Sequence, residues 1–212
     1  MKLNGSEILV KVFLENKVDT VFGYPGGAII PVYDALYDYR DKVNHILVRH
    51  EQCAIHAAQG YARATGKTGV CIVTSGPGAT NTVTGLADAM LDSTPVVLIS
   101  GQVASNTLGT DAFQEINFIE ITNSVTKWNC QVKRAEDIPE AIARAFYIAA
   151  SGRPGPVVVD ITKDAQNGLL DFEYKPKKFI RSYQPYADID NDQISEAVRL
   201  INLARKPMAL IG

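Results

Sequence analysis

The sequence predicts an α/β fold: a doubly wound, mainly parallel sheet with helices on both faces, followed by the start of a second α/β domain. Three observations carry this. Runs such as Val96-Val97-Leu98-Ile99 and Val157-Val158-Val159 are apolar without a gap, which suits strands covered on both faces by crossover helices. These runs alternate with segments of helical period over residues 1–165. At 212 residues the chain has room for one large domain, or for one domain plus part of another.

Taken in order, Asn4 followed by Glu7 gives an N-cap and its partner, and Ile8, Leu9, Val12 and Phe13 then recur with helical period, predicting a helix over 5–17. A short apolar strand at 20–23, a glycine-rich turn, a helix near 29–39 and a strand at 45–49 come next. The alternation continues with helix 51–64 and strand 69–75, helix 79–91 and strand 95–101, then a long loop, helix 137–150 and strand 155–161. Residues 166–189 mix prolines, basic residues and aromatics without period, as a connection between domains does. Asp190 with Gln193 then caps a helix over 191–204, and "PMALIG" (207–212) reads as a strand. One helix and one strand cannot bury both their apolar faces. The expected organisation is therefore a domain over 1–165, a linker over 166–189, and over 190–212 the truncated start of a second domain.

With 46% hydrophobic and 21% charged residues and a net charge of −2, nothing attracts nucleic acid or anionic lipid. Glu7 and Lys11 interrupt the N-terminal apolar residues, and no run approaches the ~18 residues of a membrane span. No nucleic-acid or membrane partner is expected, and the reading is cytoplasmic. Cys53, Cys71 and Cys130 are odd in number, far apart and set in apolar stretches, so they read as buried free thiols.

Parallel sheets place their sites at the carboxyl ends of the strands, which picks out the loops 23–28, 75–81 and 101–116. "GYPGGA" (23–28) and "SGPGATN" (75–81) gather backbone N–H groups where a ligand can approach, although glycines also serve simply to turn a chain. The loop 101–115 is long and carries Gln102, Asp111, Phe113, Gln114 and Glu115, as functional loops do. His50-Glu51 and His56 resemble a zinc-protease motif only superficially: its histidines stand four apart, whereas these stand six apart with Ala54 at the required position. Glu51 is more specific. It heads a helix in which Ala54, Ala57, Ala58, Gly60 and Ala62 leave little bulk, so another surface can press close. A carboxylate held at such a contact can hydrogen-bond the ring nitrogen of a bound heterocycle and tune its basicity.

Six ordered blocks, "VFGYPGGAIIPVYDAL", "RHEQCAIHAAQGYARATGK", "VTSGPGATN", "GTDAFQE", "TKWN" and "SGRPGPVVVD", together resemble the N-terminal part of the catalytic subunits of the acetolactate (acetohydroxyacid) synthase family, which are thiamin-diphosphate enzymes. The resemblance covers 1–165 nearly continuously, as the family's pyrimidine-binding domain, and the remainder is similar to the start of its central, FAD-binding domain. The glutamate and the "SGPG" turn resemble thiamin-diphosphate enzymes in general, while "PGGA" with "TDAFQE" points to the synthases.

The resemblance implies that Glu51 hydrogen-bonds the cofactor's aminopyrimidine and favours the imino tautomer that takes the thiazolium proton. Pyruvate is then decarboxylated, and its two-carbon unit joins a second 2-keto acid to give 2-acetolactate or 2-aceto-2-hydroxybutyrate in branched-chain amino acid biosynthesis. By the same matching Gly27 presents a backbone N–H to developing oxyanion charge, Gln114 with Phe113 lies near the reacting centre, and Tyr24, Pro77 and Asn81 line the pyrimidine pocket. Arg153 contacts FAD and Lys163 stands at the active-site mouth. No metal ligand is expected, since the family holds diphosphate and Mg2+ through a Gly-Asp-Gly motif of a C-terminal domain, and no such triplet occurs here. The fragment is expected to be inactive alone. The resemblance further implies a homodimer or higher oligomer with the Glu51 helix at the subunit contact, and a small regulatory subunit. Ala104 and Thr162 stand where the family commonly has proline. The alternatives are another thiamin-diphosphate decarboxylase, oxidase or carboligase, and a non-catalytic ligand-binding module.

Overall fold

The Asn4–Glu7 spacing closes a reciprocal cap. Glu7 N donates to Asn4 Oδ1 at 2.9 Å and Asn4 N donates to Glu7 Oε2 at 2.8 Å, satisfying two N–H groups near the helix start. From there α1 (Gly5–Glu15) runs with Ile8, Leu9, Val12 and Phe13 fully buried. The computed structural model of the chain describes residues 2–210. They form two units, one ending at Ile180 and the other starting at Arg181, and each is described by itself.

In the first unit, β1 (Lys2–Asn4) precedes α1, and β2 (Thr20–Gly23), α2 (Ile30–Asp38), β3 (Asn44–Leu47), α3 (Glu51–Thr65) and β4 (Gly69–Val73) follow it. Next come α4 (Pro77–Thr80), α5 (Val83–Leu91), β5 (Val96–Gln102), α6 (Phe118–Thr122), β6 (Trp128–Val132), α7 (Ile138–Ala150) and β7 (Pro156–Thr162). The unit continues through α8 (Lys163–Asn167) and β8 (Leu169–Asp171). Six strands form a parallel sheet in the order β3-β2-β4-β5-β7-β6. The gapless apolar runs pair in its middle, Val97 opposite Val157 and Ile99 opposite Val159, and β4, β5 and β7 are buried along their whole length. Helices α1, α2 and α7 pack together over one face, and α3, α5 and α6 over the other.

The small residues of α3 let it lie close. Its inward stripe of Ala54, Ile55, Ala58 and Ala62 is buried. A Cβ on Gly69 would stand 2.2 Å from Ala58 O, and one on Gly85 2.2 Å from Ile55 Cγ2, so α3 meets β4 backbone to backbone and meets the α5 backbone with its Ile55 side chain. Ile55, Leu86, Leu98 and Phe118, all fully buried here, each contribute about 1.5–3 kcal/mol by leaving water. Much of the helix's smallness is thus used within its own unit, while Cys53 and Gly60 face outward.

Several features depart from the expectations. The predicted helix over 79–91 is broken into α4 and α5, because Asn81 and Thr82 form a turn between them. β6 and the five-residue helices α6 and α8 were not anticipated. β1 and β8 form a separate antiparallel pair, Lys2 opposite Asp171 and Asn4 opposite Leu169, so a strand lies within the stretch read as a connection. Of the thiols, Cys71 is buried and Cys130 half-buried, but Cys53 is exposed. That corrects its reading, since its neighbours Ala54 and Ile55 take the sheet side of α3.

In the second unit Asp190 Oδ1 accepts from Asp192 N at 2.9 Å and Gln193 N at 3.1 Å, and α9 (Asn191–Leu203) follows. Residues 207–210 form no strand, a lone extended segment having no ladder to join. Residues 211 and 212 of that expected strand lie outside the described residues. Among the described residues no helix is long and apolar enough to cross a membrane.

Candidate active site

The sheet reverses direction beside β2. The chain steps outward from β2 to β3 and then returns to lay β4 on the other side of β2. The loops leaving the carboxyl ends of β2 and β4 therefore part company, and a crevice opens where open α/β sheets bind ligands. Loops 23–28, 75–81 and 101–116 meet there. Ala28 N donates to Thr74 Oγ1 at 3.3 Å, and a Cβ on Gly26 would stand 2.5 Å from Thr74 Cγ2. A Cβ on Gly101 would stand 2.5 Å from Ala28 O, and one on Gly76, at φ 55°, 2.6 Å from Gln114 O. Glycine at these positions is a condition of the loops touching.

Glu51 opens α3 at this crevice, where the helix dipole favours a carboxylate. It is 8% exposed. Asn81, carried on the turn that interrupts the predicted helix, donates through Nδ2 to Glu51 Oε2 at 2.9 Å. Oε1 points towards Gly78, where a Cβ would stand 3.2 Å from it and 2.7 Å from Thr74 Cγ2. Among the described residues no hydrogen bond reaches Oε1. Behind the carboxylate, Tyr33 OH donates to Ile72 O at 3.0 Å. Burial, then the neighbouring Cys71 and Glu51, push the Tyr33 hydroxyl well above its usual range. Burial and Glu51 do the same to the Cys71 thiol. Both remain neutral, so Glu51 is a half-satisfied acid with two uncharged neighbours behind it. Such a group gains from an N–H donor supplied by a ligand, and a side chain at Gly78 would crowd both Oε1 and Thr74.

Adjoining this, a cavity of about 300 Å³ is lined by Gly27, Ser75, Ala104, Phe113, Gln114 and Lys163, among others. Gly27 has nothing within 4 Å of where a Cβ would stand, so its backbone is open to a ligand. Loop 109–115 is organised from inside. The Glu115 carboxylate accepts from Gly109 N, from Thr110 N at 3.3 Å and from Ala112 N at 3.1 Å, and Asp111 and Gln114 take left-handed backbone. Phe113 is left 88% exposed at the tip. Asp164 in α8 binds Ser105 through N at 2.8 Å and Oγ at 2.6 Å, fastening the start of the long loop beside Lys163. A larger hollow of about 480 Å³, between α2 and β3 and lined by Tyr33, Tyr37, Arg40 and His45 among others, touches none of the predicted site residues.

The structure thus groups Glu51 with Asn81, and Gly27 with Phe113, Gln114 and Lys163. Tyr24 leaves β2 into the first loop, 39% exposed, and Pro77 opens α4. Arg153 stands apart: it donates to Ser93 Oγ at 2.8 Å, Met90 O at 3.2 Å and Leu91 O at 3.0 Å, at the amino ends of β5 and β7. Sequence reasoning missed Tyr33 and Thr74, whose types carry no signal in a helix and at a strand end. It also missed Asp160, a charged residue within an otherwise gapless apolar strand. Among the described residues no cluster of His, Cys, Asp and Glu is arranged to hold a metal ion.

Residues 3–121 match the protein family described as "Thiamine pyrophosphate enzyme, N-terminal TPP binding domain". Curated proteins similar to this chain include the "Acetolactate synthase large subunit" of Corynebacterium glutamicum, 54% identical over 100% of this chain and 34% of that protein. The protein of the same name in Haemophilus influenzae is 49% identical over 100% of this chain and 37% of its own length. The "Acetolactate synthase isozyme 2 large subunit" of Escherichia coli is 50% identical over 99% and 37%. The chain spans about a third of the length of these relatives.

Proposed function

Because this chain belongs to the thiamine pyrophosphate enzymes, through their N-terminal TPP binding domain, we propose that it is the pyrimidine-binding part of an acetolactate synthase catalytic subunit. The proposed reaction decarboxylates pyruvate and joins the two-carbon unit to a second 2-keto acid, in branched-chain amino acid biosynthesis. The observation that carries this reading is Glu51: buried, held by Asn81 at 2.9 Å, and open through Oε1 beside Gly78. Bound thiamin diphosphate would supply an acidic thiazolium carbon and an electron sink for the decarboxylation.

In this reading the chain's own groups divide the remaining work. Glu51 would hold a ring nitrogen of the bound heterocycle through a shared proton and so tune the basicity of that ring. Asn81 keeps the carboxylate aimed, and Tyr24 and Pro77 close round the pyrimidine. The Gly27 N–H offers a preorganised donor to oxyanion charge, an arrangement worth about 10²–10³ in rate where it has been removed elsewhere. Gln114 and Phe113, which line the 300 Å³ cavity, would lie near the reacting centre, and Lys163 would attract keto-acid carboxylates to the mouth. Mg2+ and the diphosphate belong, in this reading, to a part of the subunit that the chain does not span. FAD at Arg153, assembly as a homodimer or higher oligomer through the outer side of α3, a small regulatory subunit and a cytoplasmic location are further parts of the proposal. The large-subunit names of the relatives support the regulatory partner.

The test uses the full-length protein with thiamin diphosphate, Mg2+ and pyruvate. The expected product is acetolactate, with acetohydroxybutyrate added when 2-ketobutyrate is supplied. Acetaldehyde or acetyl phosphate in place of acetolactate would move the protein to another thiamin-diphosphate activity, and no turnover would favour a non-catalytic module.

A further inference from the structure

Asp160 has no exposed surface and lies in β7 between β5 and β6. Its hydrogen-bond donors are neutral side chains: Ser100 Oγ to Oδ1 at 2.6 Å, Gln102 Nε2 to Oδ2 at 3.1 Å, and Gln131 Nε2 to Oδ2 at 3.0 Å. A buried carboxylate is a costly choice in a strand built mainly of valine and isoleucine, and nothing proposed above uses it.

Its effect is on Gln102. An ionised carboxylate only accepts hydrogen bonds, so it compels the Gln102 amide to turn Nε2 towards it and Oε1 away. The second Nε2 hydrogen then meets Ile116 O at 2.9 Å, and Oε1 accepts from Val103 N at 2.9 Å. One side-chain amide thereby clasps both ends of the loop 103–116. The same loop rests Gln114 on the Gly76 turn and brings Phe113 and Gln114 to the 300 Å³ cavity.

We propose that Asp160 is a positioning residue: by orienting the Gln102 amide it closes the base of loop 103–116 and so sets where Phe113 and Gln114 stand. Burial pushes its carboxyl up to about 6, opposed by the hydrogen bonds from Ser100, Gln131 and Gln102, so near neutral pH it remains mainly the acceptor that the clasp requires. The loop geometry stands by itself; the consequence for catalysis rests on the proposed function.

Asp160→Asn in the full-length protein keeps the shape but presents an amide that no longer dictates which way Gln102 faces. Backbone hydrogen exchange over 103–116 is expected to quicken about tenfold, as for the loss of one hydrogen bond to a charged group. kcat/KM for the keto acids is expected to fall about tenfold, while proton exchange at the thiazolium carbon stays within about twofold of the parent. Val157→Ala, which thins the same strand on the opposite face of the sheet from Asp160, is expected to leave loop exchange at the parent rate. Unchanged loop exchange in Asp160→Asn, or equal acceleration in Val157→Ala, would overturn the proposal. If the parent protein exchanges no thiazolium proton, the cofactor reading fails, and loop exchange still decides the role of Asp160.

Discussion

A carboxylate withdrawn from water must find donors, and Glu51 and Asp160 find them in opposite ways. Asp160 is fully supplied by side chains of its own sheet, whereas Glu51 has one oxygen held and one open beside Gly78. The contrast between two glycines tests this. Gly78→Ala puts a methyl 2.7 Å from Thr74 Cγ2 and 3.2 Å from Glu51 Oε1; it is expected to cost about 1–3 kcal/mol through overpacking, read by denaturant unfolding, and to weaken cofactor binding. Gly27→Ala meets nothing within 4 Å. It should keep stability within about 0.5 kcal/mol while lowering kcat, because the added methyl stands at the cavity. Asp160 gives a pH signature. Its carboxyl lies at about 6 in the folded chain against an ordinary 3.8, so folding favours the protonated form. That stabilisation is fully present below the ordinary value and is lost as pH rises through 6, roughly 3 kcal/mol over the interval. Unfolding midpoints between pH 4 and pH 7 should show this slope in the parent and lack it in Asp160→Asn.

At the scale of elements, what was legible follows burial on both faces. The central strands are gapless apolar runs and declared themselves. β6 did not, because it is an edge strand whose Asn129 and Gln131 face polar partners, Ile119 O and Thr122 Oγ1 for the one and Asp160 for the other. Three-residue β1 and β8 and the five-residue α6 and α8 are too short for any period to register. The break between α4 and α5 was hidden by an apolar pattern that runs through it, yet this break turns Asn81 towards Glu51. The site loops were identified by their glycines and their place after strands, but which loop touches which depends on close approaches such as Gly76 on Gln114 that no local pattern encodes. Both positions at which the resemblance expects proline keep proline-like backbone, φ −62° at Ala104 and φ −66° at Thr162. Ala104→Pro is therefore expected to raise stability by about 0.5–1 kcal/mol by restricting the unfolded chain. A lowered melting temperature would mean that the Ala104 N–H or its neighbours need a freedom that proline removes.

At the scale of the molecule, the site is a product of strand order. Had β4 been added beyond β3, the loops bearing Gly26 and Gly78 would not face each other across one crevice, and Thr74 would not link them. The chain spans about a third of its relatives, and in the proposed reading its crevice takes the pyrimidine side of the cofactor. The proposed cofactor would then be shared between this domain and another part of the protein. The measurement bearing most directly on this account is deuterium exchange at the thiazolium carbon of thiamin diphosphate bound to the full-length protein, compared between parent and Glu51→Gln. The expected exchange rate in Glu51→Gln is lower by about 10² or more, the scale of a lost proton-transfer aid, with folding and cofactor binding retained. Exchange at the parent rate in a folded, cofactor-bound Glu51→Gln protein would contradict it.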